Sequence, residues 1–337
     1  MKLLNWKEKI ITDELKEVSE CLKNGGLVIF PTETVYGLGA DARLDKSVDN
    51  IFKAKGRAND NPLIVHLSSV DEIEKYAYIT NEIEKKLIDT FMPGPFTLIL
   101  KKKNNIPNNV SANLDTVGIR VPSNKIAHAI LEYDHIPVAA PSANLSGKPS
   151  GTNIKDIISE FQNKVDYIID GSSTDIGLES TVVKVLDNVP CILRPGYITK
   201  EDIINAVGIV KVDDNIFKKV SGPVESPGMK YKHYAPSSKC KLIYIKNVDE
   251  RIKYFQEHSN KETVLIGSSL LKDIPCKKYL YYGDKLPEIS HNIFTILREA
   301  DTYSPEMILI EGVSKEGLGL AIMNRLIRAS SHNYIEK

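Results

Sequence analysis

Short apolar runs of strand length, each emptying into a polar loop, recur from Leu27 to Gly196. They stand at 27–30, 63–67, 96–100, 117–121, 138–140, 167–171, 181–185 and 192–196. Their continuous apolar character fits strands buried on both faces, so a sheet covered by helices is expected. Helical periods fall between them, as in 14–22, where Leu15, Val18 and Leu22 share one face and Asn24-Gly25-Gly26 stops the helix. Others are expected at 48–55, 71–76, 81–91, 154–161 (capped by Gly151-Thr152) and 201–207, which closes a first domain, 1–210. From residue 239 to the end, strands near 242–245, 264–266, 279–282 and 307–310 alternate with helices near 250–258, 289–303 and 318–329. That spacing predicts a smaller, Rossmann-like parallel α/β domain over 239–337. The segment 211–238 between them is rich in Pro and Gly without an apolar period, yet carries Tyr231, His233 and Tyr234. It reads as a linker that doubles as a lid.

Charge narrows the function classes. Lysine plus arginine, 44, equals aspartate plus glutamate, 44, so no global field draws the chain to nucleic acid or a membrane surface. Anion binding, if present, is local. The four cysteines lie far apart without a Cys-x-x-Cys, which argues against a zinc module or a disulfide framework. No signal core or bilayer-length apolar run is seen, so a cytoplasmic, reducing-compartment protein is expected.

The stretch 53–66 is the most suggestive. Lys55-Gly56-Arg57 follows a helix, and Asn61-Pro62 leads into a strand. Two cations beside a glycine suit a phosphate-rich ligand: glycine admits a close backbone, lysine a point charge, arginine a flat fork. The plain alternative is a solvated basic loop. Residues 31–42 read as a loop dense in hydroxyls and glycines; Gly37-x-Gly39-x-x-Ala42 is too far from its strand to be a dinucleotide fingerprint. Lys101 to Asn105 reads as a basic turn. Arg120, alone within an apolar strand, needs an acidic partner or a ligand carboxylate. Ala139, Ala140 and Ala143 leave room beside Ser142 and Asn144, and Arg194 tips another strand. Single positions keep ordinary alternatives: His66 as a core histidine, Ser142, Asn144 and Asn61 as turn formers, Arg120 and Arg194 as structural ion-pair members.

Phe-Pro-Thr-Glu-Thr-Val-Tyr-Gly-Leu at 30–38, Lys55-Gly56-Arg57 with Asn61-Pro62-Leu63, and Pro93-Gly94-Pro95-Phe96-Thr97 resemble signatures of the YrdC/Sua5 family. So do 117–122, Pro141-Ser142-Ala143-Asn144 and Leu193-Arg194-Pro195-Gly196. The linker 226–236 and the closing 317–325 resemble the longer Sua5 branch, so the resemblance spans essentially the whole chain. It implies a YrdC-like twisted open α/β sheet with a concave basic pocket and a Sua5-type C-terminal domain. It further implies synthesis of threonylcarbamoyl-AMP from L-threonine, bicarbonate and ATP, with pyrophosphate released and Mg²⁺ carried mainly by the ATP. The product would pass to the machinery that makes t6A at adenosine 37 of tRNAs reading ANN codons, with at most a weak contact to tRNA itself.

By the same resemblance, Lys55, Arg57 and Arg194 face phosphates, and Asn61, Thr116, Ser142, Asn144, Ser150 and Tyr231 complete the ATP site. Thr34, His66, Arg120, Ala140 and Ser180 would hold threonine. The residue types fit, because positioning and charge dispersal suffice and no protein nucleophile is needed. A non-enzymatic module binding double-stranded RNA or tRNA is the competing class; neutral charge and sparse aromatic-basic interleaving weigh against it. A carbamoyl-transfer maturation factor shares a similar domain but sets Cys-x-x-Cys zinc modules beside it, which this chain lacks.

Overall fold

Phe30 and Gly39 pack so closely that a side chain on Gly39 would lie 2.6 Å from the Phe30 ring. This contact explains why residues 37–41 are a strand rather than the expected loop: Gly37–Asp41 pairs antiparallel with Val28–Phe30. The computed structural model describes residues 1–171, 173–218, 222, 224–227 and 233–337.

Among these residues the first sheet has twelve strands. From one edge its order is Lys2–Asn5, Tyr167–Asp170, Val28–Phe30, Gly37–Asp41, Val138–Ala139 and Ile64–His66. It continues through Thr116–Arg120, Phe96–Lys102, Thr181–Leu186, Val189–Arg194 and Lys211–Val212, with Ala77–Tyr78 paired to Phe96–Lys102. Lys101 and Lys102 therefore continue a strand, because their backbone pairs with Ala77–Tyr78 while their side chains reach outward; the expected basic turn begins later. Helix Thr12–Lys23 buries Leu15, Val18 and Leu22 as its period predicts. Helix Ile154–Phe161 is capped by Asn153, whose side chain accepts from the Asp156 amide, and not by Gly151-Thr152. The helix Lys125–Asp134 was not anticipated.

The second sheet is five-stranded and parallel, ordered Lys278–Tyr281, Thr263–Gly267, Met307–Glu311, Cys240–Tyr244 and Tyr334–Glu336. Helices Leu286–Thr302 and Gly319–Ala329 lie between this sheet and the first domain's loops. One apolar cluster crosses the junction: Val35 and Leu178 pack with Tyr234, Phe294, Ile322 and Leu326. Val35 and Leu178 are 6% and 0% exposed, each contributing ~1.5–3 kcal/mol by burial.

Candidate functional site

The strand order brings polar residues from distant positions to one hollow. Ile64–His66 runs parallel to Thr116–Arg120 with His66 opposite Arg120, and antiparallel to Val138–Ala139. The loop after Val138–Ala139 carries Ala140, Ser142 and Asn144, and the loop between Val28–Phe30 and Gly37–Asp41 carries Thr34. Ser180 and Arg194 arrive from the neighbouring hairpin, whose strands pair Val182 with Arg194. The resulting cavity is lined by Thr34, Arg57, His66, Arg120, Ala140, Ser142, Asn144, Ser180 and Arg194 among others, with Glu179, Pro227, His233 and Tyr234 closing it.

Among the residues expected to hold threonine, Arg120 is 4% exposed and already engaged. Its guanidinium pairs with Glu33 at 2.7 Å and donates to Thr34 Oγ1 at 2.9 Å and the Gly94 carbonyl at 3.3 Å. Burial pushes the Glu33 carboxyl up, but Arg120 outweighs it and keeps the acid below its ordinary range. His66 is 3% exposed and its Nδ1 meets no hydrogen-bond partner among the described residues. Burial, helped by Arg120, presses its pKa down to about 3, so the ring is neutral.

The residues expected to bind ATP divide. Arg57, Ser142, Asn144 and Arg194 line the cavity. Lys55 stands just behind, donating to the Ser142 carbonyl at 2.5 Å and the Asn144 carbonyl at 2.7 Å, its pKa lowered chiefly by burial. Gly56 is a left-handed helix cap with φ of 60° and open space around it, so its backbone conformation itself calls for glycine. Asn61 is fully buried with neither amide atom bonded, while its carbonyl accepts from Arg57 at 3.1 Å. Ser150 reaches the wall indirectly, by donating to Glu179. Thr116 donates to Glu225 of the linker at 3.0 Å and does not line the cavity. Tyr231 lies outside the described residues. Burial lowers the Arg194 pKa to about 10, and it donates to the Ser180 carbonyl and hydroxyl.

Three contributors, Glu33, Glu179 and Arg325, escaped the sequence reading, whereas His233 was expected in the lid. Glu33 and Glu179 hide inside motifs read for their hydroxyls. His233 keeps some exposure, yet burial and then Arg57, Arg328, Lys55 and Arg194 hold it down to about 3. Arg325 is fully buried in a helix of the other domain. Among the described residues no three His, Cys, Asp or Glu form a metal-holding group, and no helix is long and apolar enough to cross a membrane.

An α/β chain with a cation-rimmed hollow, closed by its linker and braced by a second domain, is thus defined. Comparison gives the family. The Sua5/YciO/YrdC family model, described as "Telomere recombination", matches residues 20–196, and the "Threonylcarbamoyl-AMP synthase, C-terminal domain" model matches 198–331. The chain belongs to this family, and it is an enzyme. It is 39% identical to a threonylcarbamoyl-AMP synthase of Pyrococcus abyssi, with 99% of each chain covered. A Bacillus subtilis protein of the same name is 37% identical over 96% of this chain and 97% of its own. The crystal structure of P. abyssi Sua5 complexed with L-threonine superposes with a TM-score of 0.93, at 39% identity and full coverage of both chains.

Proposed function

We propose that this chain condenses L-threonine, bicarbonate and ATP into L-threonylcarbamoyladenylate, releasing pyrophosphate and water, and so supplies t6A formation on tRNA. The threonine amine and bicarbonate combine to a carbamate with loss of water. A carbamate oxygen then forms the new bond to the α-phosphorus as the bond to pyrophosphate breaks. The observation that carries this reading is convergence: Arg57 and Arg194 share one cavity with Thr34, His66, Arg120 and Ser180.

Each group has a task within that reading. Arg57 and Arg194 disperse phosphate charge, and Lys55 holds the Ser142–Asn144 turn against the nucleotide while adding its own charge. Asn61, Ser142, Asn144 and Ser150 bind the nucleoside part, with Tyr231 as a further ATP contact and Thr116 one only once the linker's Glu225 has moved off it. Unpaired buried polar atoms are costly, and those of Asn61 and His66 suit ligand recognition. Arg120 meets the threonine carboxylate, His66 and Thr34 its polar groups, Ser180 its hydroxyl, and Ala140 its methyl side. Mg²⁺ would ride on the triphosphate oxygens; the described side chains offer no metal cage.

The cavity encloses about 60 Å³, far below the ~300–1,000 Å³ of typical small-molecule sites. Pro227, His233 and Tyr234 fill part of the room that three reactants need, so the linker withdraws to admit ATP and returns to exclude water. The test is pyrophosphate release from ATP by the purified protein. Release is expected only with threonine and bicarbonate together, and it should vanish in a folded Arg57→Ala variant. Full-rate release without threonine would reject the reading.

A further inference from the structure

Arg325 lies in helix Gly319–Ala329 of the C-terminal domain and is completely buried. Its guanidinium spans two segments of the other domain. Nε reaches Glu179 Oε2 at 3.0 Å, and Nη1 donates to the Pro195 carbonyl at 2.5 Å. Glu179 immediately precedes Ser180, and Pro195 immediately follows Arg194. The same guanidinium sits over the ring of Tyr234, 5.8 Å from its centroid. One side chain thus holds two residues of the cavity wall, Glu179 and Tyr234, and the chain neighbour of a third, Arg194.

The ring has a second partner as well, since Tyr234 stacks on Phe294 with centroids 5.1 Å apart. Tyr234 has a φ of 62°, a left-handed conformation that its surroundings must enforce. On the same helix, Asn324 and Arg328 both donate to the Ile216 carbonyl, at 2.6 and 3.0 Å, fixing the first part of the linker. Surface packing between domains would not need a buried arginine bonded to the neighbours of two site residues. Such a charge is tolerated only when fully paired.

We propose that Arg325 is a positioning residue of the reaction site: by bridging Glu179 and the Pro195 carbonyl, it sets the spacing between Ser180 and Arg194. The C-terminal domain is then part of the machinery that holds threonine and triphosphate in register. Misplacement by about 1 Å lowers rates by roughly 10²-fold, which sets the size of the expected effect. The inference rests on the synthase reading above and deepens it.

The experiment measures threonine- and bicarbonate-dependent pyrophosphate release, with melting temperatures, in the full-length protein. The unmodified protein tests the synthase reading independently, since absence of dependent release sinks that reading before any variant is compared. Arg325→Met is expected to lower kcat/KM for threonine roughly 100-fold. Arg325→Lys, which can pair with Glu179 but not also reach Pro195, should recover about tenfold of that loss. Arg325→Met combined with Glu179→Gln should fall no more than about threefold below Arg325→Met alone, because both act through one bridge. Arg251→Met removes a different arginine–glutamate pair of the same domain, to Glu311 at 3.0 Å, and should stay within about twofold of the unmodified protein. A folded Arg325→Met variant with kinetics within threefold of the unmodified protein overturns the proposal, and so do fully multiplicative losses in the double variant. If Arg325→Met does not fold, Arg325→Lys decides: a loss of about tenfold at unchanged melting temperature supports the bridge, and unchanged kinetics overturn it.

Discussion

Arg194 donates to Ser180 three times over: Nε and Nη2 reach its carbonyl at 3.1 and 3.0 Å, and Nη2 reaches its hydroxyl at 3.1 Å. Under the proposed reading, the phosphate-facing cation and the hydroxyl that meets threonine are thus tied directly to each other, within the frame that Arg325 braces. The Ser180 hydroxyl also bonds Thr97 Oγ1 at 2.7 Å, so it is oriented before any ligand arrives.

Ser180→Ala separates the two roles. The carbonyl contacts that hold Arg194 survive, while the hydroxyl is lost. Losing one such bond is worth about 1 kcal/mol, so threonine KM should rise about 5- to 10-fold while ATP KM moves less than about threefold. Steady-state titration of each substrate checks this, and equal rises in both would contradict the division.

Lys55 makes the opposite case, in which structure and binding share one group. Lys55→Met removes the donor for the Ser142 and Asn144 carbonyls at once. Stability should fall by ~1–3 kcal/mol, as two buried acceptors lose their partner. ATP KM should rise about tenfold or more, because the turn and the charge both go. Urea unfolding and ATP titration measure the two effects separately.

The sequence made the strands and the hollow legible because buried strands and strand-end loops leave local marks. Thr34, His66, Arg120, Ala140, Ser180 and Arg194 all stand at such ends and meet in the cavity. What stayed hidden was non-local or locally disguised. Gly37–Asp41 lacked strand character because Gly39 is small to admit Phe30. The edge strands Lys2–Asn5 and Tyr334–Glu336 are short and mostly exposed, so no apolar pattern marks them. Arg325 looks like an ordinary polar position of an amphipathic helix, and its partner Glu179 is 146 residues away. Nothing within a window of either residue announces the other.

Ala140 lines the cavity at 7% exposure and leaves room where a larger side chain would stand. Ala140→Val should raise threonine KM by at least about fivefold, since overpacking a fitted wall costs ~1–3 kcal/mol. ATP KM should change little. Discrimination in the unmodified protein is expected to be uneven. Rejecting serine rests on one methyl and should reach roughly 10–200-fold, whereas rejecting an analogue without the hydroxyl should reach ~10⁴-fold. Competition assays with serine and 2-aminobutyrate measure both ratios.

His66 links the site to acid stability. Its folded pKa is about 3, against an ordinary 6.5, so below pH 6.5 the unfolded chain takes up a proton that the native ring refuses. Stability is therefore complete above pH 6.5 and falls as pH drops from there towards 3. Between pH 6.5 and 5 this one group should remove about 2 kcal/mol. Glu33 and Glu179, both held below their usual 4.5, add losses of the same sign only at lower pH, while His233, also held to about 3, adds its own loss within the window, so the difference between parent and variant isolates His66. His66→Gln deletes the titrating ring while keeping a polar side chain. Its unfolding free energy should decline less steeply than the parent's across the same window, by roughly that amount. Parallel slopes for parent and variant in denaturant titrations at each pH would mean that the native ring takes up its proton as readily as the unfolded one.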